Sequence, residues 1–478
     1  MHRRLLVTFL CVACADQRLH PLRESCDHSA ILVSDPSVDV RLINKVLNTT
    51  KAAGLNAVSP RALPPQCLLS APVIRITRDE ITLQGKLIAT TESVLRDDSP
   101  TFKVDALFEG LERVGDLSTG VATGVAAGEW DDNANYRDYL RWLGKARLDV
   151  SQRKFLVVTD RTGKPMPNCP ITINGKPSLV TMPSGRALLF PRALGLTGPV
   201  MVSATCARTS AHAMIGPDAV TTLVLWTDRD VPARRPIDLA FVLDTTGSMD
   251  EEIDAVKSTI RTVAEQLASD QLDIRIGLVE YKDREDPEVT RTFPFSSDLV
   301  AFSRSVSVLV AGGGGDTPED MQLGLSTALD KLQWRADAVS RMIVVIADAP
   351  PHLDYTDERD YADSARRAAA RGIKIFTVSA SGMDDDGQIV MRQMAQFTGA
   401  TNMFVLRGGA GPQSAGGGDP ASSCGGTHSN YSSGNLDQLI TDKIHQELRS
   451  LDADPQLIPG RDQDERAKPC DKRVVMAQ

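Results

Sequence analysis

Three small oxygen-bearing side chains stand at alternate positions where an apolar run stops. The stretch FVLDTTGSMD, residues 241–250, carries Asp244, Thr246 and Ser248 two apart, with Gly247 between the last two. A carboxylate and two hydroxyls are hard donors, and a glycine in the turn lets backbone come close to whatever they hold. Two more donors lie far along the chain: Thr317 in GGGGDTPED and Asp348 at the end of RMIVVIAD. Two carboxylates and three hydroxyls form an all-oxygen set suited to Mg²⁺, with Mn²⁺ and Ca²⁺ as alternatives. The two carboxylates roughly neutralise such an ion, so an anionic ligand completes the shell favourably. Each piece alone also has a plainer explanation. Asp244 and Ser248 suit helix caps, with Asp250, Glu251 and Glu252 in the first turn. Thr317 suits an N-cap before Pro318, and Asp348 a turn. Only their convergence favours the metal.

Convergence requires a particular scaffold. From Ile237 onward, near-continuous apolar strands alternate with amphipathic helices. Strand DLAFVLD leads to a helix with Ile253, Val256, Ile260, Val263 and Leu267 on one face. IRIGLVEYKD follows, then the edge strand TRTFPF and the helices DLVAFSRSVSVLVA and PEDMQLGLSTALDKLQW. The order closes with RMIVVIAD, YADSARRAAARG, IKIFTVSA, GQIVMRQMAQFTG, TNMFVLR and LDQLITDKIHQELRSL. This predicts an α/β fold with a doubly wound, largely parallel sheet covered on both faces. Ligands of such sheets bind beyond the carboxyl ends of the strands, where all five donors fall.

With those residues in place, 236–452 resembles a von Willebrand factor A (vWA) domain with a metal-ion-dependent adhesion site. That motif is D-x-[ST]-x-S, then a Thr, then an Asp; Asp244, Thr246, Ser248, Thr317 and Asp348 match it, with Thr at the middle position. The resemblance implies that Thr246, Ser248 and sometimes Thr317 hold the metal directly. Asp244 and Asp348 then act mainly through coordinated water, and the open position takes a carboxylate from a partner protein. The runs DTTGSM, GGGGDTPED and ADAPPH look like a large bacterial branch of such proteins.

Ahead of this domain the pattern differs. Residues 151–228 read as short strands of period two, separated by Thr162-Gly163, Asn174-Gly175 and Ser184-Gly185 turns. This predicts a small β-sandwich resembling a carboxypeptidase-regulatory or Ig-like module. Residues 115–150 read as a linker, GDLSTGVATGVAAG, and a helix, EWDDNANYRDYLRWLGKARLDV, with Tyr136, Tyr139, Leu140 and Leu143 as its packing stripe. Residues 26–114 read as a mixed α/β domain whose element order weakly resembles the periplasmic domain of the ExbD/TolR type of energy transducer. There the strand and helix follow the hairpin; here they precede it. Residues 453–478 form a charged tail.

The N-terminus, MHRRLLVTFLCVACADQ, has a basic start, a short apolar run and an A-x-A-like end, so residues 1–15 are expected to be a signal peptide. Cys14 would be a lipid anchor if the signal is of the lipoprotein kind. Six cysteines remain after it, an even number consistent with disulfides in an exported chain. One pair per domain gives Cys26–Cys67, Cys169–Cys206 and Cys424–Cys470, and the middle pair is expected to cross a sandwich core. The chain carries 62 Asp and Glu against 53 Lys and Arg, a net charge of −9 that argues against a nucleic-acid footprint.

The expected function is that of an exported, non-enzymatic binding protein that grips a partner's acidic side chain through Mg²⁺. A structural envelope component is one alternative. A Mg²⁺-dependent hydrolase using Asp348 and His352 is another, with Asp354 and Asp357 nearby in PPHLDYTDERD. The DDDG run, 384–387, reads as a solvated helix entry, and 408–434 as a flexible insertion on the metal's side of the sheet.

Overall fold

The computed structural model describes residues 29–34, 38–52, 56–58, 73–77, 80–83, 86–96, 125–230, 234–270, 272–315, 317–357, 359–380, 382–405 and 432–458. The expected signal peptide with Cys14, the tail beyond 458, and the pairs Cys26–Cys67 and Cys424–Cys470 lie outside them. Among the described residues no helix is long and apolar enough to cross a membrane. The chain divides into two compact units, one up to Ala122 and one from Thr123.

In the first unit, β1 (Ser29–Ser34), α1 (Val40–Ala52), β2 (Asn56–Val58), β3 (Val73–Ile76), β4 (Glu80–Leu83), β5 (Lys86–Thr90) and α2 (Thr91–Arg96) follow in order. The strands form one sheet in the order β2-β1-β3-β4-β5, parallel around β1 and antiparallel beyond β3. Leu42 and Val46 of α1, one turn apart on the same face, pack on Ile74, Ile76 and Ile81.

The second unit opens with a departure from expectation. Residues read as the end of a flexible linker and the start of a helix instead form strand β6 (Ala126–Trp130), and the helix is only α3 (Tyr136–Trp142). The strand is held by tertiary contacts. Trp130 stacks on Phe404 with ring centroids 4.1 Å apart. A Cβ at Gly128 would come within 2.3 Å of the same phenyl ring, so only glycine admits it. Arg392, fully buried, lies between Trp130 and Trp142 and forms a two-pronged pair with Asp132, at 2.8 and 2.5 Å.

Seven strands follow: β7 (Lys154–Thr159), β8 (Pro170–Ile173), β9 (Lys176–Val180), β10 (Arg186–Leu189), β11 (Met201–Cys206), β12 (Thr209–Met214) and β13 (Val220–Val224). They make two sheets, β10-β7-β13 and β12-β11-β8-β9. Leu156 and Val158 of the first share a core with Ile171 and Val202 of the second. Cys169 and Cys206 are joined by a disulfide. It does not cross the core as expected. The antiparallel pairing of β8 with β11 matches Ile171 to Ala204, so the bridge lies next along the same two neighbouring strands.

The remaining elements are β14 (Ile237–Asp244), α4 (Ile253–Ser269), β15 (Ile274–Tyr281), β16 (Thr290–Ser296), α5 (Leu299–Ser307), α6 (Met321–Lys331), β17 (Ser340–Ala347), α7 (Tyr361–Ala370), β18 (Ile373–Ser379), α8 (Asp385–Phe397), β19 (Asn402–Val405), β20 (Ser432–Asn435) and α9 (Leu436–Ser450). Eight strands order as β16-β15-β14-β17-β18-β19-β6-β20. The five from β15 to β19 are mutually parallel; β16 and β6 run antiparallel to them at the two sides. Every residue of β14 and β17 is buried, as strands covered on both faces must be. The sheet therefore uses chain from before and after the seven-stranded module. Phe190 of that module stacks on Phe397 of α8 at 5.2 Å, so the two layers share a core.

Candidate metal centre

Strand order reverses around β14: β15 lies on one side and β17 on the other. That is where an open α/β sheet has its crevice. Asp244 ends β14 and Asp348 directly follows β17, so paired neighbouring strands deliver both carboxylates to one edge.

Local hydrogen bonds fix the first three donors. The Thr246 backbone N–H and hydroxyl both donate to Asp244 Oδ1, at 2.9 and 2.7 Å. The Tyr281 hydroxyl donates to Asp244 Oδ2 at 3.2 Å. Thr246 Oγ1 and Ser248 Oγ lie 3.1 Å apart, and Ser248 Oγ donates to Asp348 Oδ1 at 3.1 Å. Asp244 and Thr246 are buried while Ser248 is exposed, so the chain of oxygens runs from the interior to the surface.

The glycine loop is clamped onto this turn. Gly247 N–H donates to Gly313 O and Gly312 N–H to Thr245 O, both at 3.0 Å. Gly314 has φ +71°, and a Cβ there would meet Glu319 Oε1 at 2.7 Å and Thr246 Cβ at 3.2 Å. Glycine at this point thus lets Glu319 reach the site. Segment 317–320 is also stitched to the Asp348 loop: Glu319 N–H donates to Pro350 O and His352 N–H to Glu319 O, each at 3.0 Å. Thr317 is exposed at the start of this segment, and its hydroxyl is not part of the hydrogen-bonded chain among the described residues. The N-cap of α6 is Asp320, which accepts from Leu323 N–H at 3.0 Å, so Thr317 does not cap that helix.

Glu319 is the residue that the sequence reading missed. It is only 3% exposed, and its Oε2 has no hydrogen-bond partner. Its position, directly before a helix, reads in sequence as an ordinary first-turn acid. The signal that could have found it is its place two residues after Thr317. Three carboxylates crowded together resist ionising. Burial pushes Asp244 up to about 6, against the hydrogen bonds from Thr246 and Tyr281. Burial and then the Asp244 charge push Asp348 to about 7. Burial, Asp244 and Asp283 push Glu319 to about 8.

Among the described residues no group of three or more His, Cys, Asp or Glu side chains is arranged as a metal cage. The donor set here mixes hydroxyls with carboxylates. Buried like charges and an orphaned carboxylate oxygen are what a hard divalent cation would relieve, so the residues fit such an ion.

The other candidates make contacts of their own. His352 Nδ1 lies 2.8 Å from Asp354 Oδ1, and its ring stacks on Tyr355 at 4.0 Å. The Arg284 guanidinium lies 3.6 Å from the Tyr355 ring centroid and donates to Asp357 at 3.1 Å. Asp384 caps α8 through Gly387 N–H at 2.7 Å, as expected of a helix entry.

Comparison with known proteins agrees with the fold. The family model for the von Willebrand factor type A domain matches residues 238–409. The alpha-protein kinase vwkA of Dictyostelium discoideum is 39% identical over 153 residues, 31% of this chain and 24% of that protein. The human von Willebrand factor A domain-containing protein 7 is 37% identical over 114 residues, 24% of this chain and 12% of its own. The chain thus spans at most about a quarter of these relatives' length. Among solved structures, the SpRpn10 VWA domain is 17% identical with TM-score 0.26, covering 34% of this chain and 82% of its own. The match over residues 238–409 supports a von Willebrand factor type A domain in that part of the chain.

Proposed function

We propose that this chain is a binding protein whose vWA domain holds a divalent cation, Mg²⁺ by preference, and through it the carboxylate of a partner protein. Thr246 and Ser248 would touch the ion, joined by Thr317 on ligand-induced adjustment of its segment, with Asp244 and Asp348 acting through water. Glu319 adds a third carboxylate beside Thr246. The ion supplies a fixed positive charge for the partner's acid group. The observation that carries this reading is the continuous run of oxygens from buried Asp244 through Thr246 and Ser248 to Asp348.

The role is non-catalytic in this reading. The imidazole that a hydrolytic alternative needs as base is stacked on Tyr355, and its buried Nε2 lies 3.7 Å from Asp283, which supports a structural use of His352. Export is supported by the N-terminal sequence and by the Cys169–Cys206 disulfide. The sequence runs around the site support placement in the bacterial branch, and the seven-stranded module, with its Ig-like or carboxypeptidase-regulatory pattern, is a spacer fused to the metal domain. A metal–carboxylate contact is weak after desolvation, so the surrounding surface supplies much of the specificity.

Two measurements test this. Calorimetry with Mg²⁺ should show uptake by the intact chain that is lost in Asp244→Ala. Partner capture should then occur in Mg²⁺ and fail in EDTA; capture that ignores the chelator defeats the reading. A structural envelope role predicts assembly that survives loss of the metal.

A further inference from the structure

The described residues of five segments at the carboxyl edge of the sheet, 245–258, 282–290, 308–315 with 317–320, 348–357 with 359–360, and 380 with 382–387, carry seventeen Asp and Glu against four Lys and Arg. The whole chain holds 62 against 53, so the negative charge is concentrated at this one edge. The segments form one surface. Asp286 Oδ2 accepts from Gly314 N–H at 2.8 Å, Arg284 reaches Asp357 at 3.1 Å, and Ala380 N–H donates to Ala347 O at 2.8 Å. A Cβ on Gly387 would stand 3.1 Å from Pro350 Cα, which puts the last segment against the Asp348 turn.

The few cations are already engaged. Lys257 is held by Asp254 and by Leu309 O, each at 3.0 Å. Lys282 donates to Gly312 O, and Arg359 to Asp330 at 3.0 Å. Arg284 pairs with Asp357 and lies on Tyr355. Meanwhile Asp250, Glu285, Asp354 and Asp385, one from each of four different segments, are exposed. Next to Thr246 sits Glu319, nearly inaccessible and with an unpartnered Oε2, a further sign that this face receives positive charge. A doubly charged ion offsets only a small part of the surplus.

From this we infer that the protein partner presents its carboxylate from a strongly basic surface, as a single acid among lysines and arginines, and not from an acidic segment. The inference rests on the metal reading above and narrows it. An acidic segment would place like charges against the rim, which costs affinity, whereas flanking cations meet Asp250, Glu285, Asp354 and Asp385 directly. The same field steers a basic partner toward the face and speeds association at low ionic strength.

The test uses the full chain with Mg²⁺ and three peptides: one aspartate flanked by lysines and arginines, its Asp→Asn twin, and the same aspartate flanked by glutamates. The basic-flanked aspartate peptide is expected to bind at least about tenfold more tightly than the glutamate-flanked one. Its affinity is expected to fall as NaCl rises from about 50 to 300 mM, over which the screening length shortens by a little more than half. Neutralising three rim acids outside the donor set, Glu285→Gln with Asp385→Asn and Asp386→Asn, should weaken that peptide and flatten its salt dependence. Equal or tighter binding of the glutamate-flanked peptide, no binding of the basic one by a chain that takes up Mg²⁺, or an unchanged salt slope in the triple variant overturns the inference. If the Asn twin binds as well as the Asp peptide, or EDTA has no effect, the metal reading falls and the partner's carboxylate with it, and only the preference for a basic surface survives.

Discussion

Ser248 Oγ donates to Asp348 Oδ1 at 3.1 Å across a separation of 100 residues, joining the turn after β14 to the end of β17. The contact follows from strand pairing: β14 and β17 are parallel neighbours from Ile237↔Ser340 to Leu243↔Ile346, so their carboxyl ends arrive together. It also makes Ser248 the most accessible place to break the site. Ser248→Ala removes the hydroxyl that donates to buried Asp348, so stability should fall by about 0.5–1.5 kcal/mol. Mg²⁺ affinity should fall severalfold or more in calorimetry. Unaltered uptake would remove Ser248 from the donor set.

Glu319→Gln keeps the shape and deletes one of three mutually repelling carboxylates. The metal-free variant should melt at a higher temperature than the parent, since the Asp244 and Asp283 charges oppose ionised Glu319. Added Mg²⁺ should then raise its Tm by less than it raises the parent's, by linkage of binding to stability. Differential scanning calorimetry with and without the ion reads both effects. A lower metal-free Tm would show that Glu319 stabilises the loop by itself.

Arg392→Met would leave Asp132 buried without its counter-charge. Both side chains are nearly inaccessible, and burial already raises the Asp132 carboxyl against the pull of Arg392. Breaking a buried pair from one side costs about 3–5 kcal/mol. Chemical denaturation should show a loss of that size, together with altered Trp fluorescence because Trp130 and Trp142 flank the guanidinium. A loss near zero would mean that β6 is held by its strand pairing alone.

Asp160 supplies an acid-sensitive brace between the seven-stranded module and the segment leading to β14. Burial works to raise its carboxyl, but hydrogen bonds from Thr162, Lys164 and Arg229 prevail and hold it below its ordinary 3.8. A carboxyl depressed by folding stabilises the native state at all pH above its unfolded value, and that stability drains as pH falls through the folded value. Asp160→Asn should therefore lower stability at neutral pH, by about 1–3 kcal/mol. It should also shallow the acid limb of the stability curve below about pH 4. Parallel curves for parent and variant would refute this.

Much of the domain from Ile237 onward could be read directly from periodicity. The helix stripe Ile253, Val256, Ile260, Val263 and Leu267 is buried as spaced, and TRTFPF is an edge strand, at one end of the sheet order and with no residue fully buried. Helix ends were less legible. The run expected to be helical to Ala311 stops at Ser307, and Val308 and Val310 stand exposed beyond it, since the chain must there turn into the glycine loop. Strand β6 was missed because AAGEW has little intrinsic strand preference. Its neighbours β19 and β20 lie far away in sequence.

The sequence by itself determined most of the elements from Ile237 onward and singled out the five candidate oxygen donors beside them, because apolar period and turn chemistry are local properties. Tertiary structure alone decided that Asp348 meets Ser248 while Thr317 stands aside, that Glu319 joins the group, and that a stretch resembling a linker becomes a strand. Those outcomes depend on which surfaces are buried against each other. A residue's burial is set by neighbours hundreds of positions away, and no local pattern records them.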